Sequence, residues 1–287
     1  MSTIGTVAVL GAGTMGHGIA QVAAMAGHAT RITDMSTEIV RAGVERIRRN
    51  LDDGVARGKV PPAARDAALA HVFIADDLND AVSPADLIIE AAPERFDLKV
   101  ELLRRAEHAA PEHAILATNT SSLSITDLQR SLERGGSFIG LHFFNPVHIN
   151  RLVEVVRGRD TTQETVDAAL AFVRTLDRDS VLINDSPGFA TSRLGVLLGL
   201  EAMRMVEEGV GSPEDIDRAL ELGYRHPMGP LRLTDLVGLD VRLDIAKYLF
   251  EKLGTEQFRP PEILERMVAE GRLGKKAGRG FYDWTEH

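Results

Sequence analysis

The sequence contains no cysteine among its 287 residues and only one tryptophan. The lack of cysteine excludes disulfide bonds, thiolate metal sites and cysteine nucleophiles, and it agrees with a reducing, cytoplasmic location. A basic excess is also lacking, since 33 Lys and Arg stand against 42 Asp and Glu, for a formal net charge of -9. Such a chain has no surplus cations to neutralise a phosphate backbone, so we expect no nucleic-acid partner. We also expect no metal site.

Long hydrophobic runs are lacking as well. The apolar stretches are broken by Gly, Ser or a charge before they reach membrane-spanning length, and the first residues lead directly into a strand pattern. We therefore expect neither a membrane span nor a secretory signal. With 44% apolar and 26% charged residues, the composition is typical of a soluble globular protein, and the length suits two domains.

Short apolar runs, rich in β-branched residues, alternate with helical stretches over the first 184 residues. The predicted strands cover 6–10, 29–33, 72–75, 86–92, 114–119, 137–144, 152–156 and 180–184, and the helices between them include 14–26, 36–58 and 62–70. This alternation predicts an α/β fold, a doubly wound sheet with helices on both faces.

After the turn-prone residues 184–188 the pattern becomes almost entirely helical. We predict helices at 189–208, 241–253 and 261–270, and another that begins with Pro213 and is capped by Ser212. The sequence therefore predicts two domains, residues 1–184 and an all-helical domain of residues 185–287. Apolar helical residues between 194 and 205 point to a buried subunit interface.

A glycine-rich motif, Gly11-Ala12-Gly13-Thr14-Met15-Gly16, lies between the first predicted strand and helix. Gly11 permits a tight turn, Gly13 lets the backbone approach a pyrophosphate, and Gly16 lets the helix pack closely. Asp34 ends the second strand, where a carboxylate binds the adenosine ribose and repels a 2′-phosphate. The motif predicts a Rossmann domain that binds NAD rather than NADP. The alternative is a purely structural turn.

Two further segments carry candidate chemistry. Ser121 and Ser122 follow the strand at 114–119, whereas Ser124 is explained as the cap of a following helix. His142 and Glu154 lie on neighbouring predicted strands, and a carboxylate beside an imidazole makes a competent base near neutral pH. The alternative is a histidine satisfied within the core and a glutamate that faces water.

Several strings of the sequence together resemble one family. They are GAGTMGHGIAQ, NTSSLSIT, GLHFFNPV, RLVEVV, SPGF, HPMGPL and GKKAGRGFYDW, and they resemble the 3-hydroxyacyl-CoA dehydrogenases, in order and along the whole chain. The resemblance is strongest to members that act on 3-hydroxybutyryl-CoA. It implies reversible, NAD-dependent oxidation of a 3-hydroxyacyl-CoA in fatty acid metabolism, including β-oxidation, by a Rossmann domain followed by a helical dimerisation domain.

The resemblance also implies roles by position. His142 matches the general base, Glu154 its orienting partner, and Ser121 a residue near both the 3-hydroxyl and the cofactor. The cofactor contacts it implies, beside the glycine motif with Thr14 and Met15, are Glu94, Lys99, Asn119, Asn145 and Lys276. For three of these a plain alternative exists: Glu94 and Lys99 as charges in the first turn of a helix, and Lys276 as a solvated loop lysine.

The sequence departs from the family pattern at the edge of the expected substrate site. Ser192 stands where the family usually has an asparagine, and it has a shorter reach toward Ser121 and the substrate. His148 and Asn150 replace the commoner proline and methionine, which predicts a more polar edge. These changes leave the reaction class in place and leave the acyl preference open.

Four basic residues follow the second strand: Arg46, Arg49, Arg57 and Lys59. They form either a contact for the phosphates of CoA or a solvated helix face with salt bridges. Two rival functions also stay open at this stage. One is a dehydrogenase of a small free hydroxy acid, and the other is an NAD-binding structural or regulatory protein without catalysis.

Overall fold

A computed structural model describes residues 4–285 of the chain. The chain divides into two compact units between Ser186 and Pro187, two residues after the predicted boundary. Asp185 stays with the first unit because its Oδ2 accepts hydrogen bonds of 2.8 Å from both Ser124 Oγ and the Thr126 amide. Across residues 4–285, no helix is both long and apolar enough to cross a bilayer.

The N-terminal unit is built on one eight-stranded sheet. Its strands are β1 (Thr6–Leu10), β2 (Ala29–Thr33), β3 (Val72–Ile74), β4 (Leu87–Glu90), β5 (Ile115–Thr118), β6 (Phe138–Phe143), β7 (Leu152–Arg157) and β8 (Asp179–Asn184). They lie in the order β3-β2-β1-β4-β5-β6-β7-β8, and only the β6–β7 pair is antiparallel. The first six strands have the 3-2-1-4-5-6 order of a dinucleotide-binding sheet, which reverses between β1 and β4. The predicted doubly wound α/β fold is confirmed.

Seven helices accompany this sheet in the described residues. They are α1 (Gly16–Met25), α2 (Thr37–Ala56), α3 (Pro62–Ala70), α4 (Leu78–Val82), α5 (Phe96–Ala109), α6 (Ile125–Gln129) and α7 (Gln163–Thr175). Ser124 caps α6 as predicted, since its Oγ accepts a 3.1 Å hydrogen bond from the Asp127 amide. The five residues of α4 complete little more than one turn, too short for a helical period to show in the sequence.

The core of this unit lies on both faces of its central strands. All four residues of β4 have no exposed surface, and Val7 and Val9 of β1 are equally enclosed. A strand with both faces covered is expected to be an unbroken apolar run, as in most of β4. Glu90, the last residue of β4, breaks that run with a buried carboxylate.

The C-terminal unit is helical, as predicted. Its helices are α8 (Thr191–Glu207), α9 (Pro213–Tyr224), α10 (Pro230–Val237), α11 (Leu239–Leu253) and α12 (Glu262–Ala269). Ser212 caps α9 by accepting a 3.1 Å hydrogen bond from the Asp215 amide. Buried Asp235 holds residues 281–284 in place. It accepts hydrogen bonds of 2.8–2.9 Å from the Phe281 and Tyr282 amides and from the indole of Trp284.

Candidate active site

The glycine motif forms the turn between β1 and α1, and close packing requires two of its glycines. Gly11 has a φ of +109°, and a Cβ there would lie 2.8 Å from the carbonyl oxygen of Ala91. A Cβ on Gly16 would lie 1.7 Å from the carbonyl oxygen of Gly11. Gly16 therefore lets the start of α1 pack closely against the glycine turn, rather than against β1. A Cβ on Gly13 would meet nothing within 4 Å, which leaves open space where a pyrophosphate can approach the backbone.

Asp34 and Arg46 bind the backbone of Ala12, the residue between Gly11 and Gly13. The Oδ2 of Asp34 accepts a 2.6 Å hydrogen bond from the Ala12 amide, and the guanidinium of Arg46 donates a 2.7 Å bond to the Ala12 oxygen. A carboxylate has lone pairs for further donors, so Asp34 can still accept from ribose hydroxyls. These features fit a bound dinucleotide. Arg46 is thus separate from the exposed residues Arg49, Arg57 and Lys59 of the predicted basic face.

His142 and Glu154 lie directly opposite each other in the antiparallel register of β6 and β7. The imidazole Nδ1 is 2.7 Å from Glu154 Oε2, the glutamate has no exposed surface, and the histidine is 7% exposed. The reading of Glu154 as a side chain that faces water is therefore wrong. A carboxylate bonded to Nδ1 fixes the proton on that nitrogen, so Nε2 is the nitrogen that can accept a substrate proton.

A cleft of about 370 Å³ opens beside this pair. Its lining includes six of the residues singled out from the sequence: Met15, Glu94, Asn119, Ser121, His142 and Asn145. Four others also line it, and the sequence did not indicate them: Ala91, Ala92, Phe143 and Phe144. The cleft lies at the carboxyl ends of β1, β4 and β5, next to the reversal of strand order, where doubly wound sheets bind their ligands.

Glu94 organises the serine-rich loop on one wall of the cleft. It accepts hydrogen bonds from the amides of Ser121 (2.9 Å) and Ser122 (3.1 Å), and from the hydroxyl of Thr120. Burial pushes the pKa of Glu94 upward, but the bond from Thr120 and the charge of Lys99 outweigh it and hold the pKa below its usual value. The loop therefore surrounds a carboxylate that is ionised at neutral pH.

Lys99 lies beneath this wall, in an ion pair that the sequence did not reveal. Its Nζ is 2.8 Å and 3.0 Å from the two carboxylate oxygens of Glu90, 3.0 Å from the Ala92 oxygen and 3.4 Å from Glu94 Oε2. Lys99 is 1% exposed and Glu90 is fully buried. The alternative that Lys99 is only a charge in the first turn of a helix does not account for this burial. A signal was present, since a glutamate ends an aliphatic strand nine residues before the lysine.

Two asparagines shape the far end of the cleft. The Oδ1 of Asn119 accepts a 2.9 Å hydrogen bond from the Phe143 amide and so ties the end of β5 to the end of β6. Asn150 donates from its amide to the oxygen of Asn145 at 2.7 Å. Part of the Asn150 amide therefore closes the loop of residues 144–151, and the more polar edge stays a prediction. His148 is partly buried, and burial lowers its pKa.

The remaining two predicted residues belong to the C-terminal unit. Ser192 is the second residue of α8 and is partly exposed. The Nζ of Lys276 is 2.6 Å from Asp240 Oδ2, and its side chain is 47% exposed. Lys276 is therefore a half-exposed lysine paired with Asp240, and its contact with a cofactor stays a prediction.

The whole chain matches known proteins in both units. The family model for the NAD binding domain of 3-hydroxyacyl-CoA dehydrogenase matches residues 6–186, and the model for the C-terminal domain matches residues 188–284. A probable 3-hydroxybutyryl-CoA dehydrogenase of Bacillus subtilis is 41% identical over 280 residues, which is 98% of this chain and 97% of that protein. The 3-hydroxyadipyl-CoA dehydrogenase of Escherichia coli is 40% identical over 99% of this chain and 60% of its own length.

Solved structures agree. The crystal structure of (S)-3-hydroxybutyryl-CoA dehydrogenase from Ralstonia eutropha superimposes with a TM-score of 0.94 at 39% identity, covering 98% of this chain and 99% of that one. With both domains matched and identity near 40% along the full length, the chain belongs to the 3-hydroxyacyl-CoA dehydrogenase family and uses NAD as its cofactor.

Proposed function

We propose that this protein catalyses the reversible oxidation of a short-chain 3-hydroxyacyl-CoA to the 3-ketoacyl-CoA. The observation that carries this proposal is the 2.7 Å contact between His142 and a fully buried Glu154 on the wall of a cleft beside the glycine turn. Acid–base chemistry and nucleotide binding thus meet in one unit of the chain.

His142 acts as the base in this proposal. Its Nε2 takes the proton of the 3-hydroxyl while C3 gives up its hydride, and the carbon–oxygen bond becomes a carbonyl. Bound NAD supplies the hydride acceptor. Glu154 offsets the charge that develops on the imidazolium and keeps the proton on Nδ1 in the resting enzyme. In the reverse direction the imidazolium returns its proton to the new alkoxide.

Other side chains of the N-terminal unit position the reactants. Asp34 and the glycine turn hold the adenosine and pyrophosphate, while Asn119 and Asn145 lie on the cleft wall near His142, where a nicotinamide fits. Ser121 donates to the substrate oxygen, from a loop that Glu94 fixes. We also assign a cofactor contact to Lys276 and a substrate contact to Ser192. Lys99 is 1% exposed, so we infer that it supports the cofactor site only from behind, through Glu90 and Glu94. The exposed Arg49, Arg57 and Lys59 suit the phosphates of CoA.

We further propose a homodimer formed through the C-terminal helices. This proposal is supported by exposed apolar side chains on α8, α10 and α11: Leu194 is 62% exposed, and Leu198, Leu233, Leu236 and Val241 are each 40% exposed. Large apolar groups in such density are typical of a protein interface. Sedimentation analysis tests this.

The cytoplasmic location and the place in fatty acid β-oxidation stay predictions, which cell fractionation and growth on fatty acids would test.

The proposed reaction is tested by mixing the protein with acetoacetyl-CoA and NADH and following the loss of NADH absorbance. We expect turnover that disappears in His142→Gln, while NADH binding, measured by fluorescence, persists. A folded wild-type protein that leaves NADH unoxidised would contradict the proposal and favour a non-catalytic NAD-binding protein. Activity with free acetoacetate but not with its thioester would favour the dehydrogenase of a free hydroxy acid.

A further inference from the structure

Arg242 is a buried charge of the C-terminal unit that the proposed reaction does not use. It lies on α11, is 7% exposed, and its Nε is enclosed without a hydrogen-bond partner. Within residues 4–285, none of the ion pairs or side-chain hydrogen bonds involves its guanidinium. Burial lowers the pKa of Arg242 to about 10, so the side chain still carries its positive charge at neutral pH. A buried, unpaired charge is costly, and proteins normally pair it.

The guanidinium of Arg242 lies against α8, beside exposed leucines of that helix. Its two terminal nitrogens are 3.4 Å and 3.8 Å from the position that a Cβ would take on Gly195, so the glycine lets the charge approach the helix backbone. Leu194 precedes this glycine, Leu198 follows it by three residues, and both leucines are exposed. Val241, next to Arg242 on α11, is exposed as well. The unpaired cation therefore borders a surface of apolar side chains.

These surroundings indicate the kind of anion that pairs with Arg242. A carboxylate carries one charge, which matches one guanidinium, and it accepts two parallel hydrogen bonds from it. Arginine beside a rim of apolar groups is also typical of the residues that contribute most to a protein interface. The exposed face of α8, α10 and α11 is the one through which we propose a homodimer, so a second copy would bring its own carboxylates to this surface.

We propose that a second copy of the chain supplies the counter-charge of Arg242, through the carboxylate of its Glu201. This inference rests on the proposed homodimer. In a symmetric dimer, residue i contacts residue j while j contacts i, so the carboxylate must belong to the same surface as the arginine. Glu201 meets this requirement. It lies three residues beyond Leu198 and seven beyond Leu194, on the same stripe of α8, and its side chain is 64% exposed.

The spacing along α8 suits this pairing. Gly195 and Glu201 each lie three residues from Leu198, on opposite sides of it. When two α8 helices cross antiparallel at Leu198, Glu201 of one copy therefore lies opposite Gly195 of the other, where the guanidinium is. Within its own chain, Glu201 forms a 3.1 Å ion pair with Arg204. Such a surface pair contributes little, so exchanging it for a desolvated pair with Arg242 loses little.

The test measures the dissociation constant of the dimer by sedimentation equilibrium. In Arg242→Met and in Glu201→Gln we expect this constant to rise at least about 30-fold, because either change leaves one charge of the pair buried and unpaired in the dimer. The double variant Arg242→Met/Glu201→Gln should associate more tightly than either single variant, since it buries neither charge. The matched controls are Lys247→Met and Asp244→Asn, which remove exposed charges from α11 and should change the constant by no more than about twofold.

Two outcomes would overturn the inference. The first is a wild-type dissociation constant in Glu201→Gln, a variant that changes an exposed side chain and so keeps the test valid even where Arg242→Met fails to fold. The second is a double variant whose loss is the sum of the two single losses, which would show that the two residues act separately. A wild-type chain that sediments as a monomer at every concentration would instead refute the proposed homodimer, which is a different result from a dimer without this pair.

Discussion

The ammonium group of Lys99 and the carboxylate of Glu90 form an ion pair, with Nζ–Oε distances of 2.8 Å and 3.0 Å, in which neither side chain is more than 1% exposed. The carboxylate also accepts hydrogen bonds of 2.6 Å from Thr118 Oγ1 and from the Ala92 amide. The pair thus joins the ends of β4 and β5 to α5, directly beneath the loop that carries Ser121.

Removing the cation alone should therefore destabilise the fold. We expect Lys99→Met to lower the free energy of unfolding by about 3–5 kcal/mol, because it leaves the carboxylate of Glu90 buried without its counter-charge. Urea unfolding followed by circular dichroism measures the change. The double variant Glu90→Gln/Lys99→Met should recover most of the loss. Arg105→Met, which removes an exposed cation from the same helix, should cost no more than about 0.5 kcal/mol.

Glu154 determines which nitrogen of His142 carries the proton. In Glu154→Gln the side-chain amide can donate to Nδ1, which favours the tautomer with its proton on Nε2 and removes the base. We expect kcat for the oxidation of 3-hydroxybutyryl-CoA by NAD to fall about 10²–10⁴-fold. The dissociation constant of NADH should change little. A variant with near wild-type kcat would show that Glu154 serves packing alone, and Glu112→Gln, at an exposed position, is the control.

Asp34 should select between the two dinucleotides. In Asp34→Asn the repulsion of a 2′-phosphate is lost and the acceptor for the ribose weakens. We expect KM for NADH to rise roughly tenfold, since a hydrogen bond to a charged group contributes about 1.5–3 kcal/mol. The preference for NADH over NADPH should fall in parallel. Because Asp34 also binds the Ala12 amide, a thermal melt must show that the variant remains folded; unchanged selectivity in a folded variant would contradict the assignment.

His28 should make the N-terminal unit sensitive to acid. It is 7% exposed, its ring lies 3.0 Å from the Ile4 oxygen and 2.7 Å from Thr175 Oγ1, and burial holds its pKa below the ordinary 6.5. The unfolded chain then takes up a proton first as pH falls. The stability contributed by neutral His28 is complete above pH 6.5 and is lost between pH 6.5 and the lower pKa of the folded state.

The corresponding variant is His28→Asn, which keeps a donor near the position of Nδ1. Between pH 7.5 and pH 5.5, the melting temperature of this variant should fall less steeply than that of the wild type. The difference corresponds to about one proton fewer taken up on unfolding. His108→Asn changes an exposed histidine of the same unit and should retain the wild-type slope. Equal slopes in wild type and His28→Asn would refute this account.

Local patterns predicted most of the fold. All eight strands were predicted, because each lies on a short run rich in apolar or β-branched residues; the central strands, which are covered on both faces, give the clearest runs. Helix α10 was not predicted, since its eight residues lie between Gly229 and Gly238 and give less than three turns of periodicity. The boundary at 184 fell two residues early because the bonds from Ser124 and Thr126 to Asp185 join segments about sixty residues apart.

The site was predictable where its chemistry is local. The glycine turn is contiguous, and His142 and Glu154 are twelve residues apart on adjacent strands. The burial of Glu90 and Lys99 follows from how β1 and β5 pack around β4, which no short pattern encodes. The burial of Arg242 on α11, which is 7% exposed, could not be predicted for a related reason. A single arginine in an amphipathic helix resembles a solvent-facing residue, and only tertiary packing shows that it is enclosed.

The reversed direction of β7 has a consequence for how such an enzyme can change over time. Because β6 and β7 form a hairpin connected by residues 144–151, His142 and Glu154 both lie within one short, continuous segment of the chain. The glycine turn and Asp34, to which we assign the pyrophosphate and adenosine, follow separate parallel strands instead. Mutations that retune the base can therefore accumulate within one hairpin without disturbing the glycine turn, and these two parts of the site can diverge at different rates.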